Sequence, residues 1–172
     1  NLNVTKLNDG VPIQQENNPE NWISLNSPLW GFPNGNTSID DKYGKLYNWY
    51  AASSNICPMG FKVPSLADFF ELSNFLGNNA GGKLKSNNDL FWINDNIDAT
   101  NESGFTAYPA GYLRAIHQVY ANFGLDCLFY ARDELNSSVG NYILIFNGTG
   151  YIYYNAFEFV KESGMSIRCI KD

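Results

Sequence analysis

Few side chains in this sequence are of a type that does covalent chemistry. His117 is the single histidine. A serine or cysteine triad needs such a base, oriented by a carboxylate. No nucleophile signature accompanies it between Arg114 and Tyr120, so it reads as a surface-loop histidine. The chain has no G-x-S-x-G elbow and no G-x-x-x-x-G-K-[ST] phosphate loop. Asp126, Asp133 and Glu134 stand beside Phe129, Tyr130 and Arg132. Paired carboxylates flanked by aromatic rings are what glycoside hydrolysis uses. Spacing along the chain does not give their separation in space, and a solvated polar loop is the simpler reading. Cys57, Cys127 and Cys169 include no C-x-x-C pair, which excludes a zinc site of the usual spacing. Asn94, Asp95, Asn96 and Asp98 cluster the oxygens that calcium takes. We read them as turn residues, with calcium the minor reading and no cofactor expected.

The elements that must position these groups are short. The clearest helix spans Ser65 to Leu76. Pro64 precedes it, Ser65 is its N-cap, Asp68 completes a capping-box-like pattern and Gly77 stops it. Leu66, Phe69, Phe70, Leu72 and Leu76 fall on one broad face, expected to be core. Tyr43 to Ala52 alternates aromatic with small and polar residues and predicts a strand. Further strands are expected over Phe105 to Leu113 (broken at Pro109), Leu125 to Ala131, Tyr142 to Phe146, Tyr151 to Phe157 and Met165 to Lys171. Asn147-Gly148-Thr149-Gly150 is the hairpin signal between two of these. Gly81-Gly82 and Asn87-Asn88 mark turns in a long loop, with Phe91-Trp92 as a buried hook. Residues 1–40, broken by four prolines, predict an irregular entry segment anchored by Trp22 and Trp30. Trp49, Phe61, Phe70 and Phe105 are expected in the core.

Of the 172 residues, 44% are hydrophobic, 16% aromatic and only 16% charged. This suits one domain with a sizeable core, spanning 1–172. The 24 asparagines favour turns and loops, and one helix among many short strands gives an α+β class. A net charge of −6 with no basic cluster argues against nucleic acid and anionic membranes. No apolar run is long enough to insert in a bilayer. The start at Asn1 reads as removal of a signal segment or as a piece of a longer protein.

Several motifs recur in a recognisable order: Tyr43-Gly44-Lys45-Leu46-Tyr47-Asn48-Trp49-Tyr50, Cys57-Pro58-Met59-Gly60-Phe61, Gly81-Gly82-Lys83-Leu84-Lys85, Glu102-Ser103-Gly104-Phe105, Pro109-Ala110-Gly111-Tyr112 and the ending Ser163-Gly164-Met165-Ser166-Ile167-Arg168-Cys169. The set resembles the Fibrobacter succinogenes major paralogous domain, a bacterial extracellular module related to the C-type lectin-like fold. The resemblance implies one principal N-terminal helix, a small antiparallel sheet with long loops, and paired first and last strands. It also implies a Cys57–Cys169 disulfide. Trp92-Ile93-Asn94-Asp95 departs from the Trp-Asn-Asp sugar motif of calcium-dependent lectins, and no Glu-Pro-Asn or Gln-Pro-Asp triplet follows. Cys127 lacks the close second thiol of the formylglycine-generating enzymes that share the broader fold.

The resemblance therefore implies a non-catalytic binding module of a bacterial surface or secreted protein, with a carbohydrate or protein ligand. The alternatives are a structural or adhesin-tip domain docking other subunits, a binding protein diversified by retroelements, and a lectin-fold enzyme acting on glycans. In lectin-like folds the later loops form the ligand face. Here that places it between Tyr112 and Asn155, with Tyr120, Phe123, Tyr130, Arg132, Asp133, Tyr153 and Tyr154 as candidates. Tyrosine supplies rigid amphipathic contact area, and the charges of Arg132 and Asp133 stand in an aromatic stretch. Adjacent Tyr153 and Tyr154 point to opposite faces of a strand, so only one of them can face a ligand.

Overall fold

Side-chain caps decide where the chain starts and stops its elements. The computed structural model describes residues 1–87 and 90–172, so Asn88 of the expected turn lies outside the described residues. The entry segment holds β1 (Gln14–Gln15), a single helical turn α1 (Pro19–Trp22) and β2 (Leu29–Gly31). Next come β3 (Leu46–Tyr47) and α2 (Trp49–Ala52). The strand expected over Tyr43 to Ala52 is thus corrected to two residues. Asn48 ends it: its Oδ1 accepts from Ala51 N and caps α2, and it also accepts from Leu29 N. Aromatic content favoured a strand, but a fully buried asparagine with three bonds outweighs it.

β4 (Phe61–Lys62) leads into α3 (Leu66–Leu76), where Ser65 and Asp68 form a reciprocal capping box. The expected helix is there, but one element of its expected face is not. Phe69 is 2% exposed, whereas Phe70, one helical step further round, is 44% exposed and stacks on Tyr154 at 4.1 Å. Phe61, 45% exposed on a two-residue edge strand, also leaves the expected core. Trp49 and Phe105 are half-buried and pack against core clusters. The short helix α4 (Ala80–Leu84) follows. A Cβ at Gly81 would collide with the backbone of Tyr151, and one at Gly82 with that of Asp98, so glycine is required for this close approach.

The second half comprises the hairpin β5 (Tyr112–Arg114) and β6 (Val119–Ala121), then β7 (Asp126–Glu134), β8 (Gly140–Phe146), β9 (Tyr153–Tyr154) and β10 (Ile170–Lys171). β7, β8 and β9 form an antiparallel sheet, with Tyr130 opposite Tyr142 and Ile143 opposite Tyr154. The alternation of a strand splits the core in two. Cys127, Phe129, Ala131, Ile143 and Ile145 face one cluster together with Trp22, Phe69 and the hook Phe91-Trp92. Leu128, Tyr130, Tyr142 and Leu144 face the other, with Trp30, Tyr47 and Phe159. Trp22 and Trp30 thus anchor the entry segment in one cluster each, as expected.

β9 is shorter than the expected Tyr151–Phe157 strand. Asn155 adopts φ 47° and its Oδ1 accepts from Tyr142 N, turning the chain off the sheet. The expected closing strand is likewise discontinuous. Met165 bridges Tyr47 antiparallel, Ser166 bridges Phe129 parallel, and only β10 is a named strand, antiparallel to β4. Cys57 and Cys169 form a disulfide across 112 positions, and Cys127 is free and buried. The result is a mixed α+β fold of few helices and several small sheets. No helix among the described residues is long and apolar enough to cross a membrane.

Candidate functional site

An apolar groove runs along α3. Its volume is about 340 Å³, with Pro64, Phe69, Leu72, Phe105 and Ile170 as its walls. Phe75 stands at its lip, 86% exposed, and Asp68 and Glu71 add two carboxylates. Sequence puts Asp68 and Glu71 three residues apart, one helical turn, and Leu72 and Phe75 likewise, so the helix presents both pairs together. The Asp68 carboxyl accepts from Ser65 N at 2.7 Å and Ser65 Oγ at 2.8 Å. Burial pushes its pKa up, but these bonds and the charges of Lys62 and Arg132 outweigh that, so it sits below the ordinary carboxylate value. Near neutral pH it is an acceptor, not a proton donor.

Phe105 is fixed from behind. The Arg168 guanidinium lies 4.3 Å over its ring and donates to Phe105 O at 2.8 Å. Phe105 meets Phe129 edge-on at 5.3 Å. A second hollow of about 250 Å³ is lined by Leu2, Pro58, Phe61, Arg168 and Cys169. Met59 is 92% exposed and flanks Pro58 in sequence.

The residues expected at the ligand face are dispersed. Tyr130 is 0% exposed, with its hydroxyl donating to Ser163 O at 3.0 Å, so it belongs to the core. Asp133 serves α3: it accepts from Leu66 N at 2.8 Å and from Asn141 Nδ2 at 2.6 Å. Tyr120 donates to Asn17 O at 3.1 Å, and Phe123 packs against Tyr43 with ring centres 4.7 Å apart. Tyr120 therefore holds the entry segment, and Phe123 packs on the Tyr43 ring that follows it. Tyr153 and Tyr154 do point to opposite faces, one packed on each core cluster, and both are half-buried. Arg132 is exposed and lines a third, polar hollow of about 140 Å³. The three carboxylates weighed for glycan cleavage are each committed elsewhere: Asp126 to Asn122, Asp133 to the α3 N-terminus, Glu134 to Lys161. His117 is exposed.

The asparagine and aspartate cluster forms turns, with Asn94 at φ 63° and Asp98 at φ 60°. Among the described residues no group of three or more His, Cys, Asp or Glu could hold a metal ion. The cation at this place belongs to the chain. Lys85 is 0% exposed. Its ammonium donates to Ile97 O at 2.6 Å, Thr149 O at 3.0 Å, and Phe146 O and Asn147 O at 3.3 Å. It ties the end of α4 to the loop after the hook and to the turn after β8. Burial lowers its pKa to about 8, against the opposing charge of Asp98. No sequence signal marks a lysine whose partners are backbone oxygens from two distant loops.

Residues 1–171 match the family model described as the Fibrobacter succinogenes major domain. The chain belongs to this family. The match covers the entry segment as well as the motif-bearing part. No curated protein and no solved structure matches the chain.

Proposed function

We propose that this member of the Fibrobacter succinogenes major domain family is a non-catalytic ligand-binding module of a secreted or surface-exposed bacterial protein, with a C-type lectin-like fold. Its ligand is a carbohydrate held in the groove along α3. The groove itself is the observation that carries this: an open apolar trough with an exposed Phe75 at its lip, Phe105 in its wall and two carboxylates. Aromatic faces stack on sugar rings, and carboxylates accept from hydroxyls. The lectin-like reading is supported by the long-range disulfide beside α3 and by the pairing of β4 with β10. A disulfide across 112 positions fits an oxidising compartment. Binding is favoured over catalysis because Asp126, Asp133 and Glu134, the carboxylates considered for glycan cleavage, each serve a structural partner.

A glycan array followed by titration of the best glycan tests the proposal. Phe75→Ala and Glu71→Gln should each weaken binding by ~1–2 kcal/mol. Arg132→Ala and Tyr153→Ala, on the Tyr112–Asn155 face, should leave it unchanged. The reverse pattern moves the ligand to that face. A protein partner is the second reading, favoured by the exposed Phe61 in the wall of the second hollow and by the exposed Met59 two positions before it in sequence. Capture of one protein, with no glycan bound and with loss on Met59→Ala, would select it.

A further inference from the structure

Lys45, Asn3 and Asp41 form a chain of side-chain hydrogen bonds with Asn3 in the middle. Lys45 lies 42 positions from Asn3, and its Nζ donates to Asn3 Oδ1. The other end of the same amide, Asn3 Nδ2, donates to Asp41 Oδ1 at 3.3 Å. An amine, a carboxamide and a carboxylate are thus connected in order through the two heteroatoms of one amide group. Lys45 is 8% exposed, with its Nζ 4.8 Å from the Trp30 ring centre and 5.4 Å from that of Phe32.

The backbone holds the asparagine in place from both sides. Lys45 N donates to Leu2 O at 3.0 Å, and Leu2 N donates to Ile167 O at 3.0 Å. On the other side the Tyr47 hydroxyl donates to Val4 O and accepts from Val4 N, both at 2.8 Å. Asn3 therefore sits between Leu2, bonded to the backbone of Lys45, and Val4, bonded to the side chain of Tyr47. Such fixed proximity is worth effective molarities of ~10⁵–10⁸ M in well-oriented intramolecular reactions.

We propose that Lys45 and Asn3 are a self-modification site, joined by a side-chain amide bond whose formation Asp41 assists as proton shuttle. The neutral Nζ attacks Asn3 Cγ, and a bond forms between them as the carbonyl electrons move to Oδ1. The attacking nitrogen sheds its proton to solvent, and the exposed Asp41 carboxylate, which touches Nδ2, relays one from solvent to that leaving nitrogen. The Cγ–Nδ2 bond then breaks, and ammonia leaves. One amide replaces another, so no oxidant, reductant or activating group is needed. Burial lowers the pKa of Lys45, which raises its neutral fraction, while Asp41 opposes this. Asn3 and Asp41 are exposed, which gives ammonia a way out.

The experiment is intact-mass and tandem mass spectrometry of the full chain after reduction and denaturation. The expected result is a protein lighter by one ammonia, with a branched peptide joining residues 3 and 45 that hydroxylamine does not cleave. Lys45→Arg keeps the cation between the two rings and should have the full unmodified mass. Asp41→Asn, on an exposed position, should form the bond ~10²–10⁴-fold more slowly, the usual weight of acid–base assistance. A wild-type chain of unmodified mass overturns the proposal. So does a loss of ammonia in a chain that hydroxylamine then opens to a hydroxamate or cleaves after residue 3, because that marks a succinimide at Asn3. A linked Asp41→Asn chain formed at the wild-type rate overturns the shuttle.

Discussion

The corner at Cys57–Cys169 and the loop cluster around Lys85 solve one problem by different means. Each ties segments that lie far apart in sequence. The corner uses a covalent bond between Cys57, ahead of β4, and Cys169, just before β10, and leaves apolar surface open near it in the α3 groove. The loop cluster uses an ammonium and four carbonyl oxygens, and closes over them until nothing of the lysine is exposed. A covalent tie tolerates open surroundings, because water does not weaken it. An ionic tie must be dry to be strong. This difference explains why the candidate site lies beside the disulfide and not among the long loops.

The largest expected effect is on the covalent side. Replacing Cys57 and Cys169 by Ser should cost ~4–5 kcal/mol in the chain-entropy account of so long a loop. Urea midpoints of the oxidised wild type and the double variant give the figure, and equal midpoints would mean the bond is absent in solution. Next is the helix beside it. Phe69→Ala should cost ~3–5 kcal/mol, and Phe70→Ala under about 1 kcal/mol, because only Phe69 leaves a cavity. Similar losses at both would place Phe70 in the core after all.

Lys85→Met tests the ionic side, with an expected loss of about 3 kcal/mol because buried carbonyls lose their donor. Its pH dependence sharpens the contrast. The folded value of about 8 lies below the ordinary 10.5 of lysine. Between these two values the unfolded chain holds a proton that the folded chain has released, so this group adds stability as pH rises through the window. Wild type should gain urea resistance from pH ~8 to ~10 relative to Lys85→Met. A parallel response in the two proteins would break the assignment. The smallest effect on stability belongs to the groove: Phe75→Ala should leave the urea midpoint within about 0.5 kcal/mol of wild type.

What the sequence showed followed from the range of the interactions involved. α3 was legible because its cap, its carboxylate and its stop lie within thirteen residues of one another, from Ser65 to Gly77. The buried hook and β7 with β8 were legible as apolar runs. Tyr130 was misjudged because β7 is buried on both faces, and tyrosine on a half-exposed strand reads the same as tyrosine between two cores. Phe70 was misjudged because an exposed phenylalanine resting on Tyr154 fits the same helical period as a buried one. The disulfide came from resemblance, not from spacing. The α3 groove depends on Phe105 and Ile170 reaching the helix from elsewhere, and no local pattern announces that.

The ammonium of Lys85 also has a consequence for the conditions under which this protein can work. A free ion's occupancy of a site follows its concentration in the medium. A cation carried on the chain has no dissociation constant, because its local concentration is set by four methylene groups. Dilution, chelators and competing ions therefore cannot carry it away, and only the loss of its own proton, as pH rises past about 8, removes the charge.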